Sequence, residues 1–277
     1  MITDFQNFQH ELKHLTINYV DSIDLPQFST FENIFTDGAN TYEGYQRGWG
    51  LEFSKVSQHF ADIIDQIRND ELYKFAFSAA EGLTVVSEER RMNIFIILLK
   101  HLKNIERGHL IEFGSYKGGN AIFLAVVSKV LGLENKVFAC DSYKGMPLTD
   151  KKIDLHNEGD FSNVNFEFLS GYIKDLGLDN LILVKGFFSE SLKLKQMENL
   201  SFSFAHIDCD IYSACVDSFN YLKSRMVEKG YLVFDDATVS SCLGATRFVE
   251  KEIIRNANLN SEQIWPHFVF RWARQNV

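Results

Sequence analysis

The sequence predicts an α/β protein, with a mostly parallel central sheet, helices on both faces, and a mainly helical N-terminal extension. Three observations predict it. From residue 110 onward, short apolar runs alternate with longer segments of helical period, the pattern of repeated strand–helix units. The stretch His109-Leu-Ile-Glu-Phe-Gly-Ser-Tyr-Lys-Gly-Gly-Asn120 passes from an apolar run through a glycine turn into a second apolar segment of helical length. Several of the apolar runs end in an aspartate, which gathers carboxylates at one edge of a parallel sheet.

The first fifty residues are mixed, with Gly38, Gly44, Gly48 and Gly50 marking irregular structure. From Leu51 to about Ala80 the pattern is helical, with Phe53, Val56, Phe60, Ile63, Ile64 and Ile67 on one face. Ser87 is an N-cap followed by acids, and its helix runs to about Glu106. Strand Leu110–Phe113 and helix Gly118–Leu131 come next, then strand Val137–Cys140, ending at Asp141. After a polar insertion, a helix is expected from about Phe161 to Leu176, strand Leu181–Val184 after it, and a short helix near Ser189–Leu194. Strand Phe202–Ile207 ends at Asp208, a helix covers about Tyr212 to Met226, and strand Tyr231–Phe234 ends at Asp235-Asp236. A helix over Leu243–Arg255 and an aromatic strand-like stretch, Trp265 to Trp272, complete the series. Residues 1–82 read as the extension and 83–277 as the main domain.

Composition narrows the function. With 45% hydrophobic and 23% charged residues the chain reads as an ordinary globular protein. A net charge of -9 argues against binding to a nucleic-acid backbone, which needs a basic face. The four cysteines, Cys140, Cys209, Cys215 and Cys242, include no CxxC pair, so neither a zinc ribbon nor a disulfide scaffold is expected, and a reducing cytoplasm is the expected setting. No signal-peptide core and no membrane-spanning apolar run is read, so no membrane partner is expected.

The strand ends carry the chemistry. The glycines after Phe113 let the backbone approach a ligand, and the free N–H groups of the next helix favour negative charge. Asp141 sits where a carboxylate can accept ribose hydroxyls, although it can equally cap a turn. The loop is Glu-x-Gly-x-x-x-Gly-Gly rather than GxGxxG, and its Tyr116 suits an adenosine ligand bearing an amino acid, S-adenosylmethionine, better than a pyrophosphate. Asp208, Asp210, Asp235 and Asp236 converge if their strands are neighbours. So many like charges need a proton or a hard cation, for which Mg²⁺ is the simplest choice. The alternative is that they cap the helices at Tyr212 and Leu243. His206 reads as a packed core histidine, His109 and His156 lack partners at metal spacing, and Cys209 has no histidine beside it to make it a nucleophile. GxSxG and Walker A patterns are absent.

From about Leu83 to Glu250 the chain resembles the TylF-type macrocin O-methyltransferases, which are S-adenosylmethionine- and metal-dependent sugar O-methyltransferases. Seven ordered pieces carry the resemblance: Thr84–Arg90, Ile111–Gly119, Asp141-Ser-Tyr-Lys-Gly-Met-Pro147, Gly159-Asp-Phe161, Lys185-Gly-Phe-Phe188, Asp208-Cys-Asp-Ile-Tyr-Ser213, and Gly230-Tyr-Leu-Val-Phe-Asp-Asp236. The chain departs from the family pattern at Cys209 and ahead of Gly230, at Met226–Lys229. Phe270-Arg-Trp272 matches the family's ending only loosely. The resemblance implies a Rossmann-like class I methyltransferase fold. It implies that Glu112, Gly114 and Ser115 line the methionine part of the cofactor and that Asp141 and Ser142 hold ribose and adenine. Thr84, Arg90, Tyr116, Gly119 and Asp208 complete the implied cofactor site. Asp208, Asp235 and Asp236 are the implied Mg²⁺ ligands, and Asp208 the implied general base. It also implies a small-molecule sugar or sugar-nucleotide acceptor and a homo-oligomer paired through the N-terminal region. A metal-dependent methyltransferase of a catechol or other phenol uses the same parts. A nicotinamide oxidoreductase needs a tighter glycine turn, and a non-catalytic nucleotide-binding protein needs no metal.

Overall fold

The computed structural model describes residues 58–273. The expected irregular segment 1–50 lies outside them. The sheet has seven strands in the order β3-β2-β1-β4-β5-β7-β6. They are β1 His109–Phe113, β2 Val137–Asp141, β3 Leu181–Lys185, β4 Phe202–Ile207, β5 Met226–Phe234, β6 Ser261–Gln263 and β7 Phe268–Arg271. The first five run parallel, and β7 pairs antiparallel with both β5 and β6. Strand order turns back between β1 and β4, so the carboxyl ends of these two strands flank the crevice where such sheets bind ligands.

The helices are α1 Gln58–Asn69, α2 Glu71–Ala79, α3 Glu88–Ile96, α4 Gly119–Val130, α5 Phe166–Asp175, α6 Phe188–Ser191, α7 Tyr212–Leu222 and α8 Leu243–Phe248. Side-chain parity along the strands divides the core in two. Leu110, Phe204, Tyr231 and Val233 join a cluster with residues of α2, α3 and α4. Ile111, Phe113, Ala205, Ile207, Leu232 and Phe234 pack the other face with residues of α7 and α8. Helix α4 is buried nearly all round, from Gly119 to Ser128, because the sheet lies on one side and α2 on the other, where Phe123 meets Tyr73 edge-on at 5.8 Å.

Several expected boundaries are corrected. The helix expected from Leu51 to Ala80 lies outside the described residues up to residue 57; its described part is two helices, broken at Asp70, whose carboxylate accepts the Tyr73 N–H at 2.8 Å and starts α2 anew. The helix that Ser87 caps leaves α-geometry after Ile96, continuing as a π-turn over Ile97–His101 and a 3-10 turn to Asn104. Helix α5 starts at Phe166, not Phe161, because Asn165 caps it while Phe161 lies in a left-handed turn (φ 62°). Helix α7 stops at Leu222, and Met226 belongs to β5, where the Phe202 N–H already reaches the Arg225 carbonyl. The helix expected to run to Arg255 keeps α-geometry only to Phe248 and continues as a π-helix. The C-terminal stretch makes only β7, and β6 was not foreseen. No helix among the described residues is long and apolar enough to cross a membrane.

The Asp70 cap has a pH consequence. Burial, partly offset by the N–H bonds of Tyr73 and Leu72, raises its carboxyl from 3.8 to about 7. An acid whose pKa is raised on folding is bound more tightly by protons in the folded state. Stability therefore rises as pH falls from about 7 towards 4, and is lost as pH climbs back through that window. Asn keeps the cap without the charge, so Asp70→Asn should gain about 2–4 kcal/mol at pH 8 and little at pH 4. Urea melts at both pH values test this, and equal midpoints at pH 8 would refute it.

Candidate active site

Sheet parity puts a polar strip among apolar residues. Glu112 on β1 sits in register with His206 on β4, and both point to the α4 face, as do Asp208 and Asp235 two positions beyond His206 and Val233. His206 is fully buried between two carboxylates, its Nδ1 3.0 Å from Glu112 Oε1 and its Nε2 3.3 Å from Asp235 Oδ1. Burial lowers its pKa, but the hydrogen bonds to Asp235 and Glu112 outweigh this and raise it to about 9. It is an imidazolium joining two halves of a site, not a passive core residue. The signal was available in the sequence: a polar residue near the end of each of two apolar strands.

Asp235 is the hub of that network. Its Oδ1 also accepts from His267 Nε2 at 2.9 Å, and its Oδ2 accepts from Arg90 Nη1 at 2.5 Å. Asn93 donates to His267 Nδ1 at 3.1 Å and takes a bond from Gln263 on β6, which leaves the His267 Nε2 proton to face Asp235. Burial holds His267 down at about 4, and it is neutral. Although burial alone raises a carboxyl, the bonds from His206 and His267 depress Asp235 well below the ordinary range. Arg90, expected beside the cofactor, is thus spent on Asp235.

Asp208 and Asp236 behave in the opposite way. Burial comes first, and neighbouring carboxylates, Asp235 among them, push both well above the usual range. One oxygen from each of Asp208, Asp235 and Asp236 lies within 4.8 Å of the others. An all-oxygen set whose members repel one another is the donor chemistry a hard divalent cation takes. None of these aspartates caps a helix. The Tyr212 N–H goes to Asp154 Oδ1 at 2.9 Å, and α8 has no side-chain cap.

On the other side of the switch point, Gly114 (φ 90°) and Gly118 (φ 80°) turn the chain from β1 into α4. Gly118 offers no side-chain cap, leaving the helix N-terminus without one. Gly119 packs on the Leu83–Thr84 backbone, which receives its N–H, and Thr84 Oγ1 accepts from the Val86 N–H. Asp141 takes the Tyr116 N–H on Oδ2 at 2.8 Å and the Tyr143 N–H on Oδ1 at 2.6 Å, so each oxygen keeps a free lone pair. The Ser142 hydroxyl turns inward to the Gly145 carbonyl at 2.6 Å. Glu112 Oε1 takes Asn120 Nδ2 at 2.6 Å, while its Oε2 and the Ser115 hydroxyl are buried without a partner among the described residues. Unpaired buried acceptors are costly and mark a place for a donor group, such as an amino-acid ammonium. Thr84, Arg90, Glu112, Gly114, Ser115, Tyr116, Asp141, Ser142, Asp208, Asp235 and Asp236 all line one cavity of about 460 Å³; Gly119 lies behind the loop.

Two further lining residues, His156 and Cys242, were missed. His156, expected to lack partners, has its Nε2 3.6 Å from Asp210 Oδ1 and 3.6 Å from Cys242 Sγ, with Asp160 Oδ2 3.5 Å from its Nδ1. Their separation along the chain hid the group. Cys209 Sγ lies 3.7 Å from Cys215 Sγ, and that bond and burial raise its thiol, which is no nucleophile.

The fold is that of the O-methyltransferases. The solved structure of the O-methyltransferase NovP superposes with a TM-score of 0.57 at 20% identity, covering 70% of this chain and 83% of that one. The calicheamicin methyltransferase CalS11 superposes with a TM-score of 0.56 at 12% identity, covering 91% and 96%. Residues 57–263 match the family described as Macrocin-O-methyltransferase (TylF), and the chain belongs to that family. One relative, the 8-demethyl-8-(2,3-dimethoxy-alpha-L-rhamnosyl)-tetracenomycin-C 4'-O-methyltransferase of Streptomyces olivaceus, is 26% identical over 172 residues. That match spans 58% of this chain and 65% of the relative's length.

Proposed function

We propose that the protein transfers a methyl group from S-adenosylmethionine to a sugar hydroxyl, with the help of a divalent cation, Mg²⁺ first among the candidates. The observation that carries this reading is the placing of two unlike half-sites on one cavity. The carboxylates of Asp208, Asp235 and Asp236 form one half, and the glycine loop with the unpaired Glu112 Oε2 and Ser115 Oγ forms the other. The S. olivaceus relative is named for methylating a rhamnosyl group, which supports a sugar acceptor. Small-molecule sugars, free, nucleotide-linked or conjugated, are the acceptor class, and the enzyme is assigned to the cytoplasm.

In this reading Glu112 Oε2 and Ser115 receive the methionine ammonium and carboxylate end, and the free lone pairs of Asp141 accept the ribose hydroxyls. Asp208, Asp235 and Asp236 hold the cation, while Arg90, His206 and His267 fix the orientation of Asp235 from behind. When bound, the cation supplies Lewis-acid chemistry, lowering the pKa of an acceptor hydroxyl, and S-adenosylmethionine supplies the methyl group. Burial and its carboxylate neighbours raise Asp208; with a cation held among them it would be an ionised carboxylate, able to accept the hydroxyl proton. The loop and the carboxylates keep donor and acceptor sides at fixed separation, which is the proximity contribution.

Transfer of label from S-adenosylmethionine to a panel of nucleotide sugars, glycosides and catechols, with and without EDTA, tests the proposal. We expect turnover of a sugar, at least about 100-fold loss in EDTA, and recovery with Mg²⁺. Full activity in EDTA would remove the cation, and methylation of catechols alone would remove the sugar.

A further inference from the structure

Beside the aspartate cluster lies a second group with a different chemistry. Cys242 Sγ donates to Asp210 Oδ1 at 3.2 Å, and His156 Nε2 is 3.6 Å from each of those two atoms. We propose that His156 Nε2, Asp210 Oδ1 and Cys242 Sγ form a second metal site, for a borderline-soft divalent ion of the zinc type.

The spacing is that of a coordination shell. A tetrahedral ion with Zn–S of about 2.3 Å and Zn–N or Zn–O of about 2.0–2.1 Å holds neighbouring donor atoms about 3.3–3.6 Å apart. The two separations from His156 Nε2, 3.6 Å each, fall at that spacing, and the 3.2 Å between Cys242 Sγ and Asp210 Oδ1 lies just under it. The donors are also of the right kind. One thiol, one imidazole and one carboxylate suit zinc, whereas the all-oxygen set of Asp208, Asp235 and Asp236 suits a hard ion. The two sets share no ligand, although the Asp210 N–H donates to Asp236 Oδ2 at 2.9 Å.

The surroundings complete the site. Asp160 Oδ2 lies 3.5 Å from His156 Nδ1, a carboxylate on the side of the ring away from Nε2, the arrangement that favours a proton on Nδ1 and a free Nε2. The His156 carbonyl accepts from Thr149 Oγ1 at 2.7 Å, which ties down the backbone of that residue in the connection between β2 and α5. His156, Asp210 and Cys242 all line the cavity, so an ion can reach them. The ligands come from three separate segments: that connection, the turn after β4, and the residue before α8. Binding therefore clips the connection to the sheet edge.

The proton balance is explicit. Burial, with Asp236 and Asp210 nearby, holds the Cys242 thiol protonated. The ion takes a lone pair of the thiolate, and the S–H proton leaves to solvent, so about one proton is released per ion bound near pH 7.

The test uses the full-length protein saturated with Mg²⁺ and titrated with Co²⁺ as a spectroscopic stand-in for Zn²⁺. We expect a near-ultraviolet thiolate-to-cobalt absorption, displaced by stoichiometric Zn²⁺, and absent in Cys242→Ser. His156→Gln should weaken Zn²⁺ by at least about tenfold in calorimetry. Absence of the thiolate absorption in the wild type, or its persistence in Cys242→Ser, overturns the site. Should Cys242→Ser fail to fold, the His156→Gln calorimetry decides, and unchanged affinity there overturns the proposal. The spectrum needs no acceptor or methyl donor, so its failure is separable from failure of the methyl-transfer reading.

Discussion

Asp208→Asn is expected to lower kcat by about 10²–10⁴-fold while changing the dissociation constant for S-adenosylmethionine by less than about fivefold. The amide keeps the size and the backbone of the residue, whose N–H goes to the Phe113 carbonyl at 2.9 Å, so the β1–β4 join should survive. What it removes is one anionic oxygen ligand and the proton acceptor. The methyl-donor half of the cavity, Glu112, Ser115 and Asp141, is untouched. Single-turnover kinetics beside calorimetry of the methyl donor separates the two halves. A kcat within tenfold of wild type would falsify the role assigned to Asp208, whereas a lost dissociation constant with it would show that the halves are not separable.

Gly114→Ala should be far more damaging than its size implies. A Cβ at Gly114 would stand 1.6 Å from the Asp208 carbonyl oxygen, and the backbone there is left-handed, at φ 90°. Neither partner is a side-chain tip that can swing aside, since both are main chain at the ends of adjacent strands. We expect a loss above about 4 kcal/mol, a fall in Tm of roughly 8–16 °C, and loss of both cofactor and cation binding, because the same contact spaces the two half-sites. Gly82→Ala is the control. It too has positive φ, 73°, but no atom of the described residues lies within 4 Å of a Cβ there, so only backbone strain of about 1–2 kcal/mol applies. Equal melting temperatures for the two variants would refute the steric account.

Individual residues show how far the sequence could be read. Glu112, Asp141, Asp208, Asp235 and Asp236 were visible because each ends or nearly ends an apolar run, and a parallel sheet brings such ends to one edge. Helix ends were less legible. Asp70 and Asn165 cap where the periodicity alone runs on, and Met226 is drawn into β5 by its neighbour β4 although its spacing fits a helix. His206 reads as a packed core histidine and is fully buried, but its carboxylate partners were not legible, because they lie 94 and 29 positions away. Arg90 shows the same limit: its position in a motif gave no indication that Asp235, 145 residues later, would take its charge.

The alternation of strands and helices, the glycine loop and the acidic strand ends are local patterns, so the sequence by itself determined the fold class and which strand ends carry chemistry. Only the tertiary structure decided which charges are neutralised, that Asp235 is held by two histidines and an arginine while Asp208 and Asp236 are left to repel, and that His156, Asp210 and Cys242 meet. The physical reason is range. Periodicity and turn chemistry act within a few residues, whereas burial and Coulomb interaction depend on what the folded chain brings within a few ångströms.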